Sequence, residues 1–178
     1  MKKRIPKSYF ILIRYIILLA LMFSLPLIYK IFTPLTVYST IFLLKLFYNI
    51  SAFNLNTLSP ILIINSKTII QLIPACIAGS AYLLLLILNL TVPMSLRKRL
   101  HTILLSFILL LALNILRIFI LTVLYHNNFR FFDFTHKMFW YVLSTVFVVL
   151  IWFFVVKLYK IKEIPVYTDF KHLLKNVK

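Results

Sequence analysis

Apolar residues along this chain fall into long, nearly unbroken runs divided by short polar or basic stretches, the length scale of helices that cross a bilayer, for which about 20 residues are needed. The first run, Tyr9 to Tyr29, follows Lys2, Lys3, Arg4 and Lys7 and carries Arg14 near its start and Pro26 near its end. It is long and is not followed by a small-residue cleavage pattern, so a retained span is expected rather than a secretion signal. The second run, Leu35 to Ile50, contains Tyr38, Ser39, Lys45 and Tyr48. Too short to cross and partly polar, it predicts an interfacial or re-entrant helix. Ile103 to Leu124 and Met138 to Val156 are the clearest spans, one preceded by Arg97-Lys98-Arg99-Leu100-His101, the other followed by Lys157, Lys160 and Lys162.

Between Ser51 and Pro74 the pattern changes to Asn, Ser and Thr with two β-branched runs, Ile61-Leu62-Ile63-Ile64 and Thr68-Ile69-Ile70, around Asn65-Ser66-Lys67. That is the signature of two short strands about a polar turn. Pro74 suits the first turn of a helix, and the apolar residues from Ala75 to Pro93 predict one with Cys76 in its first turn. The expected fold is an all-α polytopic membrane protein: about four transmembrane helices, one interfacial helix and a small extracytoplasmic strand-like segment. It forms a single domain over 1–178, with a basic N-terminus (1–8), an outer segment (35–74) and a basic tail (157–178).

Composition strengthens the membrane reading. The chain is 63% hydrophobic with a mean hydropathy of +1.02, more apolar than a soluble domain of 178 residues needs. The formal charge of +17 arises from 20 Lys and Arg against Asp133, Glu163 and Asp169. Because the basic residues punctuate apolar runs, anionic lipid headgroups explain them better than nucleic acid, which is not expected as a partner. In a four-span topology with the N-terminus inside, Arg97 to Arg99 and Lys157 to Lys162 all fall on the cytoplasmic side with both termini. A fifth crossing at Leu35 to Ile50 would break that asymmetry.

The same topology places three chemically capable side chains in the outer half of the bundle. Cys76, the single cysteine, begins a descending helix, whose unpaired N–H groups and dipole favour a thiolate. Arg117 lies about 10 Å below the outer end of the next helix, where an arginine within an apolar run tends to face the bundle interior or a polar cavity. Asn114, one turn earlier, is placed to hold its guanidinium. His136 starts the last helix and can serve as general base toward the thiol and general acid toward a leaving amine. Gly79, the single glycine, permits a close approach by a helix or a substrate backbone. His126 is the reserve acid/base group, on the same side but in a loop, and Asp133 is expected to pair with Arg130. His101 and His172 fall on the opposite side. One cysteine excludes an intrachain disulfide, and no metal or cofactor is expected.

Pro74-Ala75-Cys76-Ile77-Ala78-Gly79 at a helix start, Asn114-Ile115-Leu116-Arg117-Ile118 late in the next helix and His136 opening the one after resemble the exosortase/archaeosortase family of membrane transpeptidases, over roughly Leu35 to Val156. The resemblance implies a cysteine protease or transpeptidase acting on exported proteins that carry a C-terminal sorting signal: a short motif, a transmembrane helix and a basic tail. It implies Cys76 as nucleophile, Arg117 as stabiliser of the tetrahedral intermediate and His136 as acid/base partner, with a lipid as possible acceptor. The chain departs from the family in its glycine, which in many members follows the cysteine by two positions rather than three. The competing expectation is non-enzymatic: a small polytopic scaffold or transporter subunit in which Cys76 packs, Arg117 anchors at the interface and the basic tail binds anionic lipid.

Overall fold

The computed structural model describes residues 16, 19–54, 60–65, 68–92 and 94–161. The N-terminal basic cluster, Arg14, part of the 65–67 turn and the tail with His172 lie outside the described residues.

The first two apolar runs form one object. A helical stretch from Leu19 to Lys45 covers 27 residues; a tight turn at Met22–Ser24 leads into helix α1, Leu25–Lys45. The expected interfacial helix at Leu35 to Ile50 is therefore corrected to the second half of a long apolar helix. Pro34 lies inside α1 and removes only one ladder bond, which a helix supported by neighbours tolerates. Of the polar residues that argued for an interface, Tyr38 and Lys45 are exposed and Ser39 and Tyr48 half-buried, while Thr36, Val37, Thr40, Ile41 and Leu44 are buried along one stripe. After Lys45 the chain turns, with the Phe47 and Tyr48 amides bonded to the Leu44 carbonyl at 3.0 and 2.8 Å.

A three-stranded antiparallel sheet follows: β1 (Ile50–Asn54), β2 (Ile61–Ile64) and β3 (Thr68–Gln71), in the order β1-β2-β3. The β2–β3 hairpin is the one its β-branched runs predict. β1 was not expected, since Ser51-Ala52-Phe53-Asn54 carries little strand propensity; it pairs with β2 through an irregularity between Ile50 and Ala52. Leu62 and Ile64 are fully buried and join Val37, Ile41 and Leu44 of α1 with Ile77 and Ile118 in one apolar cluster.

Pro74 opens the next helix as expected, but the single helix predicted over Ala75 to Pro93 is broken. Helix α2 (Pro74–Ile77) ends at Ala78, whose φ of 58° is left-handed, and helix α3 runs Gly79–Thr91. Then come α4 (Leu96–His126), α5 (Phe132–Met138), a π-helical turn (Phe139–Leu143) and α6 (Ser144–Leu158). Among the described residues three helices are long and apolar enough to cross a membrane: Leu19–Lys45, Leu96–His126 and Phe132–Leu158; α3 is shorter.

Helices α3 and α4 pack antiparallel. Asn89 of α3 reaches Ser106 of α4 at one end and Asn114 of α4 reaches the Ile77 carbonyl at the other. Within the bundle Phe32 stacks on Tyr82 at 3.8 Å, and Phe107 meets both edge-on. Gly79 packs beneath Tyr29 of α1, where an added Cβ would lie 2.6 Å from the ring. Its role is close helix packing, one of the two functions its sequence position suggests.

Left-handed backbone costs an L-residue about 1–2 kcal/mol, and Ala78 is the position two beyond the cysteine. Replacing Ala78 by Gly is expected to raise thermal stability in detergent, by about 0.5–1 kcal/mol after the added chain entropy. Gly79→Ala should destabilise by about 1–3 kcal/mol through overpacking, and the loss should shrink in a Tyr29→Ala background, as a double-mutant cycle of melting temperatures would measure.

Candidate active site

A one-turn helix cannot satisfy its own last carbonyls, and the left-handed break at Ala78 keeps α3 from supplying the missing partners. Two side chains of α4 supply them. Asn114 Nδ2 donates to the Ile77 carbonyl at 3.2 Å. Arg117 Nη2 donates to the Cys76 carbonyl at 2.9 Å and to that of Ala75 at 3.4 Å. Arg117 Nη1 donates to Ser144 Oγ at 2.7 Å, and that hydroxyl donates in turn to the Phe139 carbonyl at 2.7 Å, within the π-helical turn. Both residues are buried, Arg117 to 8% exposure. The guanidinium thus points into the bundle, as an intramembrane arginine is expected to do, and does not reach for the interface.

Cys76 is held by a turn in which its amide donates to the Ile73 carbonyl at 2.8 Å. Cys76, Arg117 and His136 line a single cavity of about 210 Å³ between the end of β3, α2, the C-terminal part of α4 and the start of the last helix. His136 is stacked on Phe132, ring centroids 5.6 Å apart, and tilted against Trp140 at 6.1 Å. Gly79 stands beneath Tyr29 and is absent from the lining.

The reserve histidine is placed differently. His126 lies against the hairpin, with Nδ1 2.9 Å from Thr68 Oγ1, Nε2 3.4 Å from Asn65 Nδ2 and its ring edge-on to Tyr48. It fastens the sheet to the end of α4 and is not part of the lining. His101 sits in the first turns of α4, against the Arg97 carbonyl, remote from Cys76 as expected. Arg130 lies over the ring of Phe131, 6.0 Å from its centroid, which does not match the expected pairing with Asp133.

Electrostatics at the thiol run against expectation. Burial pushes the Cys76 thiol above its ordinary value; the Arg117 charge and a backbone contact at Ile73 pull it down, but by less. The helix-start argument fails because α2 has only four residues, too few aligned peptide dipoles to matter.

One part of the site was not anticipated. Ser144 links Arg117 to the π-helical turn; its only trace in the sequence is a Ser-Thr pair inside an apolar run. The described lining comes from β3 and the two residues after it, α2, α4 and the last helix, without α1.

No protein-family model matches this chain, and neither does any curated protein or solved structure.

Because the thiol is protonated below its raised pKa, alkylation of Cys76 in detergent should be slow at neutral pH and climb through and beyond pH 9. Arg117→Gln, which removes the favourable charge, should move the profile to still higher pH. A rate already at its plateau below pH 8 would contradict both.

Proposed function

We propose that this chain is a membrane cysteine transpeptidase or protease that cuts exported proteins near a C-terminal transmembrane sorting signal, as its exosortase/archaeosortase-like residues imply. One observation carries the reading: Cys76, Arg117 and His136, from three separate elements, line the same cavity. In the proposed reaction Sγ of Cys76 attacks the scissile carbonyl while His136 takes the thiol proton. The oxyanion forms near the Arg117 guanidinium. Collapse breaks the C–N bond, His136 returns the proton to the leaving amine, and a thioester remains on Cys76. An amine or hydroxyl of a lipid acceptor, or water, then attacks that thioester, giving up its proton to His136 as the thiol is restored.

In this reading α3 makes a fourth crossing. Its antiparallel packing on α4 supports that, and its 13 residues, about 20 Å at 1.5 Å each, leave α2 and Cys76 at the outer mouth. Both termini are then cytoplasmic, the sheet and cavity face outward, and the basic ends meet anionic lipid.

A structural reading has one observation in its favour. Among the described residues Arg117 donates its hydrogen bonds to the protein's own groups, Ser144 and the Ala75 and Cys76 carbonyls, so a scaffold or transporter subunit would use the same residue as a clamp. Mass spectrometry of the C-termini of exported proteins separates the two. Cys76→Ala should abolish trimming while the protein stays in the membrane, and Arg117→Lys should lower turnover by about 10²–10³-fold. A lipid-linked new terminus establishes transfer and a free carboxylate hydrolysis; unchanged termini in the Cys76 variant sink the thiol mechanism. Protection of both termini from external protease in intact cells, with Cys76 labelled by an impermeant thiol reagent, tests the topology.

A further inference from the structure

The residues from Ile69 to Ile73 line the cavity without a gap. Successive residues of a strand point to opposite faces, so a cavity resting on one face would meet every second residue. Ile69, Ile70 and Gln71 are successive residues of β3, so the cavity meets the strand along its edge, and Leu72 and Ile73 continue the lining beyond the strand's end. Among the described residues β3 is the outermost strand, bonded only to β2, and this is its other edge.

The register identifies which backbone groups that edge presents. The Leu72 amide donates to the Pro60 carbonyl at 2.8 Å, so Leu72 belongs to a hydrogen-bonded pair with β2. Ile70 and Thr68, paired with Leu62 and Ile64, share that parity. Hydrogen-bonded and non-hydrogen-bonded pairs alternate in an antiparallel ladder. The N–H and C=O groups of Ile69 and Gln71 therefore point away from β2, into the cavity. Beyond them the Ile73 carbonyl is taken by the Cys76 amide, which ends the free edge next to the nucleophile.

We propose that the substrate binds as an extended peptide that adds a fourth strand to β3, exchanging main-chain hydrogen bonds with Ile69 and Gln71 and delivering its scissile carbonyl to Cys76. This rests on the transpeptidase reading and specifies its substrate: a segment free of helix at the cut site. Main-chain bonding gives affinity independent of sequence. The opposite cavity wall, with Ile118, Leu121 and Phe132, favours apolar side chains. An open edge is otherwise a liability for pairing with stray chains; facing a cavity of limited width, it admits one strand.

The test separates backbone from side chain at one residue. In cells whose only copy carries the substitution, Gln71→Ala keeps the N–H and sets the reference rate of C-terminal trimming for a chain that lacks this side chain. Gln71→Pro deletes the N–H without touching the β2–β3 ladder, and should cut trimming by about tenfold or more while the protein accumulates in the membrane and Cys76 still alkylates normally. Equal trimming by Gln71→Pro and Gln71→Ala, alongside loss of trimming in Cys76→Ala, overturns strand addition and leaves the transpeptidase reading intact. Unaltered trimming in Cys76→Ala overturns the reading itself. If Gln71→Pro fails to accumulate, Ile69→Pro replaces it; failure of both to accumulate means those amides are bonded within the protein, which also overturns the proposal.

Discussion

The arrangement around Cys76 depends on how the carbonyls of a broken helix are satisfied. Breaking the backbone at Ala78 frees α2 from the axis of α3, but leaves polar groups facing a nearly dry bundle. An unsatisfied buried carbonyl costs about 1–3 kcal/mol, and α2 would present several. Arg117 and Asn114, three residues apart on one face of α4, answer that cost together. The clamp has a second consequence: because the guanidinium is tied on one side to α2 and on the other to Ser144, the helix that carries Cys76 and the last helix are referenced to one rigid group. A lysine has no fork with which to do this.

Much of the fold was legible because lipid and β-pairing leave coarse signatures. Long apolar runs gave the spans around Ile103 to Leu124 and Met138 to Val156, and β-branched pairs around Asn65 gave the hairpin. Errors came where tertiary context overrode a local signal. Thr33-Pro34 reads as a boundary, yet α1 passes through it because its stripe from Thr36 to Leu44 is buried against neighbours. Ala78 carries no sign of a left-handed break, which alanine disfavours. β1 forms because β2 offers an edge, not because its own residues prefer a strand.

The site was more legible in its members than in its chemistry. Topology alone assembled Cys76, Arg117 and His136 at one end of the bundle, since each sits near a span terminus on the same expected side. The state of the thiol was misjudged, because a helix start was credited with a dipole that a single turn does not possess, and the surrounding apolar wall was invisible in the sequence. Ser144 and the edge of β3 also could not be read there: one is a hydroxyl among apolar neighbours, the other is backbone.

The π-helical turn at Phe139–Leu143 changes the phase of the last helix. His136 and Ser144 are eight positions apart in the sequence, which in an uninterrupted α-helix would set them about 80° apart around the axis at roughly 100° per residue. A π turn absorbs one extra residue, so the pair behaves as if about seven apart, within roughly 20° of alignment. The helix thereby presents the imidazole and the hydroxyl that holds Arg117 on a common meridian. A single inserted residue does what would otherwise take a rotation of the whole span: it keys His136 to the same angular position as the clamp, about two turns away along the axis.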